Sequence, residues 1–205
     1  SFDLYEGEVL GIVGESGSGK TTLLRLLCAG LQADTGSIVY RSEAADPVEI
    51  CGLNEAKRRQ LLRSEWGYVQ QNPRNGLRMG VSAGANIGER LMAVGARHYG
   101  NIRDQASTWL DQVEIDRQRI DDAPQYFSGG MQQRLQIARN LVTQPRLILM
   151  DEPTGGLDVS VQARLLDMLR GLVSQLRLSA IVVTHDLAVA RLLSHRLLVM
   201  YRGTV

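Results

Sequence analysis

Apolar and polar positions along the chain follow two different periods, and the places where the period changes outline the fold. Glu8-Val9-Leu10-Gly11-Ile12-Val13 is a short apolar run closed by a glycine, the pattern of a buried strand. Residues 20–29 return to helical spacing and end at Gly30. After a turn at Asp34-Thr35-Gly36 the pattern predicts a strand over 37–40, a polar helix over 54–63 and a strand over 66–70. Asn72-Pro73 then breaks regular structure. From residue 76 to about residue 140 strand patterns stop. Helices are predicted over 81–93, 102–113 and 131–142, separated by glycines and Pro124. Alternation resumes with a strand over 146–150 and a helix over 160–176 that carries Leu165, Met168, Leu169, Leu172 and Leu176 on one face. A strand over 179–183, a helix over 187–193 and a strand over 197–200 follow.

Strands alternating with helices predict an α/β fold with a mostly parallel sheet covered by helices. The strandless stretch predicts a helical subdomain inserted into that sheet. One domain is expected over 1–205, with residues 1–72 and 141–205 forming the α/β core and 76–140 the helical part.

Composition narrows the partners. Of 205 residues, 44% are hydrophobic and 22% charged, enough apolar material for one sizeable core. Lys and Arg number 23 against 22 Asp and Glu, a net charge of +1, so no charge excess draws the chain to nucleic acid. Cys28 and Cys51 do not make a disulfide framework, and no apolar run approaches the about 18 residues of a membrane span. A cytoplasmic setting is the expectation. The start at Ser1 without an initiator Met and the stop at Val205 predict a piece truncated at both ends.

Chemistry enters at Gly14-Glu15-Ser16-Gly17-Ser18-Gly19-Lys20-Thr21, two glycines at P-loop spacing followed by Lys and Thr, between a predicted strand and a predicted helix. Several backbone N–H groups must converge on a polyphosphate, and glycines permit so close an approach. Lys20 can reach the terminal phosphates and the Thr21 hydroxyl can hold Mg²⁺. A second candidate is Asp151-Glu152 at the carboxyl end of the strand 146–150, the edge where α/β sheets bind ligands. Successive strand residues face opposite ways, so the two acids can have separate tasks. Asp151 would order the Mg²⁺ hydration shell and Glu152 would polarise an attacking water. Without the P-loop, two solvated acids ending a strand would be an equal reading. A third candidate is Phe127-Ser128-Gly129-Gly130 before a helix, which reads either as an anion-binding turn or as a simple Ser cap.

Six motifs then occur in order: the P-loop, Gln71 after a strand, Phe127-Ser128-Gly129-Gly130-Met131-Gln132-Gln133-Arg134, Asp151-Glu152, Gly156-Leu157-Asp158 and Thr184-His185-Asp186. Together they resemble the ATP-binding cassette (ABC) ATPase family over essentially the whole chain. The resemblance implies a P-loop ABC ATPase fold, ATP hydrolysis to ADP and phosphate, and ATP and Mg²⁺ as cofactors. It implies nucleotide contacts from Gly14 through Thr21 and Thr22, with Mg²⁺ met by Thr21, Gln71 and Asp151. Glu152, Lys20, Gln71 and His185 would be the catalytic set, with His185 on the γ-phosphate. Ser128, Gly129, Gly130, Met131 and Gln132 would close on the γ-phosphate of a second copy, and Asp158 would communicate across that head-to-tail, ATP-dependent homodimer. Met131 stands where the signature usually has glutamine, as in peptide and nickel import ATPases. The aromatic that stacks on adenine would lie upstream of Ser1 unless Tyr5 takes its place, and the adenine contact is left unassigned.

Within the family, the stretch 71–100 resembles the branch tied to the carbon–phosphorus lyase system of phosphonate catabolism, which implies a soluble lyase complex as partner. Membrane permease subunits of an importer are the alternative. Arg74, Arg78, Arg90 and Arg97 either contact an acidic partner or are solvated, and Lys57-Arg58-Arg59 reads as a solvated face.

Overall fold

The computed structural model describes residues 1–42 and 45–205. Five parallel strands form the central sheet: β1 (Val9–Gly14), β4 (Trp66–Val69), β5 (Leu147–Asp151), β6 (Ser179–Thr184) and β7 (Arg196–Met200), in the order β4-β5-β6-β1-β7. Their side chains alternate between two cores, as expected of a parallel sheet covered on both faces. Leu10, Ile12, Leu149, Ile181 and Val183 join Leu24 of helix α1 (Lys20–Leu27) on one face. Val9, Ile148, Met150, Ala180 and Val182 join the larger cluster on the other.

Two short strands outside this sheet, β2 (Val39–Ser42) and β3 (Ala45–Glu49), pair antiparallel. The pattern predicts only the first, shifted by two residues. Pro47 within Asp46-Pro47-Val48 hides β3, because a proline lacks the N–H of a ladder and suggests a turn. Helix α2 (Glu55–Ser64) follows, capped by the Asn54 side chain, which accepts from Lys57 N at 2.9 Å. Lys57 and Arg59 are exposed, as a solvated face would be, while Arg58 is half-buried; Arg58 and Arg59 both fold back onto Glu55 within that helix. Asn72-Pro73 does more than stop β4. Asn72 accepts from Arg74 N at 3.0 Å and Pro73 opens a one-turn helix, α3 (Pro73–Gly76).

The strandless stretch folds as α4 (Ala83–Ala93), α5 (Tyr99–Gln112), two 3₁₀ turns (Arg117–Asp121 and Pro124–Tyr126) and α6 (Gly129–Leu141). Ser82, His98 and Ser128 cap the three helices with their side chains, so α5 and α6 each begin earlier than the apolar period suggests. Helices α7 (Val159–Leu176) and α8 (Leu187–Leu193) complete the cover. No helix among the described residues is long and apolar enough to cross a membrane.

Candidate nucleotide site

Parallel register brings the carboxyl ends of β1, β5 and β6 to one edge, with Val13 beside Thr184 and Asp151 beside Val183. The glycine-rich loop leaves that edge from β1. Gly14 is fixed by crowding: a Cβ there would stand 2.2 Å from the Met200 carbonyl oxygen of β7. Gly19, at φ 100°, turns the chain into α1 in a left-handed conformation that side chains resist. Gly203 N donates to Ser18 O at 2.9 Å, so the turn after β7 props the loop from behind.

Lys20, buried to 6% exposure, lies across the loop and donates through Nζ to Gly14 O and Glu15 O, both at 2.8 Å. Glu15, Ser16, Gly17 and Thr22 are exposed. Thr21 Oγ1 donates to Asp151 Oδ1 at 3.1 Å, which joins the loop to the end of β5. Burial pushes the Asp151 carboxyl above its ordinary range, the Thr21 hydrogen bond opposes this, and the neighbouring Glu152 adds to it. Two oxygen donors meeting here suit Mg²⁺, which takes few protein ligands and completes its shell with phosphates and water. Among the described residues no group of three or more His, Cys, Asp or Glu forms a metal cluster of its own.

Glu152 adopts φ 44°, a left-handed backbone unusual for a side-chain-bearing residue, held by its N–H to Val183 O at 2.8 Å and by Gly155 N to its own carbonyl at 2.9 Å. Its Oε1 lies 2.9 Å from His185 Nδ1. The carboxylate is mostly covered at 18% side-chain exposure while the imidazole is open at 63%, so the pair faces outward from the edge. Both line a cleft of about 200 Å³ with Thr154, Gly156, Gln162 and Thr184. Gln71 is exposed and follows β4, whose Val69 is in register with Met150 of β5.

A second group gathers around the start of α6. Ser128 Oγ accepts from Met131 N at 3.3 Å, and Gln132 Nε2 donates to Pro124 O and Phe127 O at 2.9 and 3.0 Å. A Cβ on Gly130 would meet Val161 Cγ1 of α7 at 2.5 Å. Asp158 caps α7, accepting from Val161 N at 3.0 Å and Ser160 Oγ at 2.8 Å, and these bonds hold its carboxyl below the usual range. Thus Thr21 meets Asp151 while Lys20 straps the loop, Glu152 meets His185, and Gly129 and Gly130 pack against Leu157 and Val161, next to Asp158.

Sequence reasoning misses Arg119. Its guanidinium stacks over Phe127 at 4.4 Å and donates to Met131 Sδ at 3.5 Å, Tyr126 O at 3.3 Å and Asp122 Oδ2 at 2.7 Å. No local pattern flags it, since its partners come from three separate turns. Arg90 is engaged within the chain: it reaches α2 and β4, donating to Leu62 O and Trp66 O at 2.7 and 3.1 Å, and burial pushes its pKa down to about 10. Arg97 donates to carbonyls of its own turn, Arg78 reaches Glu89 at 3.8 Å, and Arg74 is exposed.

A glycine-rich loop strapped by its lysine, with a Thr–Asp oxygen pair at the carboxyl edge of a parallel sheet, defines a P-loop nucleotide-binding protein. Residues 1–155 match the model of the family described as ABC transporter. The chain is 66% identical over 205 residues to the putative phosphonates utilization ATP-binding protein PhnK of Escherichia coli (strain K12), covering 100% of this chain and 79% of that one. It is 36% identical over 206 residues to a putative peptide import ATP-binding protein of Brucella ovis, covering 100% and 63%, and 36% identical over 201 residues to the oligopeptide transport ATP-binding protein OppF of Salmonella typhimurium, covering 98% and 58%. It therefore spans less than two thirds of those two. The dimeric, post-hydrolysis structure of the ATP-binding cassette MJ0796 bound to ADP and Pi superposes with a TM-score of 0.86 at 30% identity, covering 98% of this chain and 84% of that one. The chain belongs to the ABC transporter family and is an ATP-binding ABC ATPase.

Proposed function

We propose that this ABC ATPase is the ATP-hydrolysing subunit of a carbon–phosphorus lyase system in phosphonate catabolism, acting in the cytoplasm as a head-to-tail dimeric clamp on a soluble enzyme complex. The junction of Lys20, Thr21 and Asp151 carries the chemical half of this reading. The relative at 66% identity, whose name refers to phosphonates utilization, supports the choice of system. Residues 76–140 would act as the helical subdomain that meets the partner, and residues 1–72 and 141–205 as the core that holds ATP.

Lys20 can exchange its two loop carbonyls for phosphate oxygens without leaving the loop, since the ammonium is already seated there. Thr21 and Asp151 would hold Mg²⁺, with Gln71 as a third contact. Bound there, the ion would neutralise phosphate charge as the terminal bond breaks. Glu152 would orient a water and draw off its proton. His185, whose Nδ1 lies 2.9 Å from Glu152 Oε1, would fix that carboxylate and reach the γ-phosphate. Ser128, Gly129, Gly130, Met131 and Gln132 of each copy would face the other copy's phosphates, and Asp158 would sit at the shared interface. The dimeric MJ0796 structures at 30% identity support a dimer. ATP shifts a conformational equilibrium only if it binds the closed dimer better than the open one.

Replacing Glu152 with Gln in the full-length protein should cut phosphate release by about 10²–10⁴-fold while nucleotide still binds. Turnover left intact would remove Glu152 from the mechanism. A second reading, the nucleotide-binding subunit of an importer with membrane permease partners, has support from the peptide import relatives at 36% identity. Affinity purification with and without ATP separates the two. Lyase subunits in the eluate support the clamp, and recovery with permease subunits alone overturns it.

A further inference from the structure

Strand β4 lies at the edge of the sheet, with β5 on one side only. Some of its outward backbone groups are nevertheless paired by side chains rather than by another strand, from Arg90 of α4 at Trp66 and from α6 at Tyr68 and at Gln70 just beyond its end. Asn140 Oδ1 accepts from Tyr68 N at 3.1 Å. Two residues further, Gln136 pairs with both polar groups of Gln70: its Oε1 accepts from Gln70 N at 2.7 Å and its Nε2 donates to Gln70 O at 3.0 Å. One carboxamide thus satisfies both backbone groups of a single residue, as the facing residue of a next strand would. Gln136 is fully buried, and Asn140 is 6% exposed. Asn140 Nδ2 is tied to Gln136 O at 2.9 Å, and Gln136 Nε2 also reaches Gln133 Oε1 at 3.3 Å, which fixes both amides on the helix. Glycines make the approach possible. A Cβ at Gly76 would stand 2.4 Å from Gln136 Oε1, and one at Gly67 would stand 3.3 Å from Asn140 Cβ.

Helix α6 begins at the Ser128-Gly129-Gly130 turn, and Gln70 is covalently next to Gln71. We infer that Gln136 is a positioning residue for Gln71: its amide holds the backbone immediately before Gln71 to the helix whose first turn carries the signature, so that one cannot shift without the other. The inference rests on the reading that Gln71 acts at the phosphate site. The geometry favours a rigid link over a mere edge cover. A buried side-chain amide bonded at both ends transmits displacement, whereas an apolar side chain in its place would cover the edge and slide.

The test is a double-mutant cycle in the full-length protein with MgATP, using Gln71→Ala and Gln136→Met. Gln136→Met keeps the length of the side chain and removes both bonds to Gln70. It should lower kcat by about ten- to a hundredfold, the cost of a displaced reacting group, while nucleotide affinity stays within about twofold because Lys20 and Thr21 are untouched. In a Gln71→Ala background it should have no further effect. A full additional fall in that background would overturn the inference and leave the role of Gln71 standing. Gln71→Ala without effect on kcat would overturn the role of Gln71, and the inference with it. Hydrogen exchange on the unaltered full-length protein gives a second measure if Gln136→Met does not fold. Amides of residues 68 and 70 should exchange as slowly as those of central strand β6, and exchange at the rate of an open edge would refute the link.

Discussion

Gly130 offers a change whose sign can be worked out from packing. It sits in the first turn of α6, buried against α7, where an added Cβ would stand 2.5 Å from Val161 Cγ1. Carbon atoms pack best at about 3.5–4.0 Å, so Gly130→Ala asks for about 1–1.5 Å of retreat by two helices or a new Val161 rotamer. Overpacking of this kind costs about 1–3 kcal/mol. Alanine in a helix recovers up to about 1 kcal/mol over glycine, so the net loss should be about 0–2 kcal/mol. Val161→Ala removes the clashing methyl and by itself costs about 1 kcal/mol from a half-buried site. In that background the clash has gone and only the helix preference remains, so Gly130→Ala should become stabilising by about 0.5–1 kcal/mol. Urea denaturation of the four proteins without nucleotide measures the cycle. A Gly130→Ala cost that is the same in the parent and in the Val161→Ala background would refute the steric account and leave the glycine to be explained by its approach to a phosphate.

Asp151 gives the pH dependence. Its carboxyl is raised by burial, so the folded protein holds that proton more tightly than the unfolded chain does. The resulting stabilisation is complete below the unfolded value of about 3.9 and is lost as pH rises through the folded one. Asp151→Asn keeps an oxygen for Thr21 and should therefore melt above the unaltered protein at neutral pH without nucleotide. That advantage should shrink toward about pH 4. It should also abolish any Mg²⁺-dependent stabilisation by ATP; thermal melts at both pH values check this. Arg90→Met keeps the apolar stem but leaves the Leu62 and Trp66 carbonyls without their charged donor, for a loss of about 2–4 kcal/mol in urea denaturation. Arg90→Lys should not restore it, because Leu62 O and Trp66 O are met by two separate guanidinium nitrogens, Nη1 and Nη2, which a single Nζ does not replace, and a lysine variant as stable as the parent would refute that.

How much of this could be read from the chain depends on where each constraint is written. The phosphate loop is legible because all its requirements are local: glycines for amide access, a lysine and a threonine in the next turn, and a strand before and a helix after. The carboxyl ends of strands share one edge in any parallel sheet, so Asp151-Glu152 follows once the alternation is recognised. His185 and Asp158 carry no such local signal, and only the order of motifs singles them out. The pairing of Glu152 with His185 depends on β5 lying beside β6, which periodicity does not specify. Strand β3 is lost to Pro47, whose missing N–H suggests a turn although a two-stranded ribbon has an open edge to spare.

The buried polar residues of the helical stretch are the least legible. In sequence, nothing assigns Gln136 or Asn140 a task, and Arg90 is left between a contact for an acidic partner and a solvated position. Gln136, Asn140 and Arg90 are instead spent on backbone groups left over by elements distant in the chain: Gln136 and Asn140 on the open edge of β4, Arg90 on the last turn of α2 and the first residue of β4. The need they meet is set by the sheet order, because an edge strand and a helix end expose groups that burial forbids to stay unpaired. That strings the polar connections between α4, α6 and the sheet along a single strand, from Trp66 at its start through Tyr68 to Gln70 just past its finish. Gln136 holds the end of that strand, at the residue that leads into Gln71.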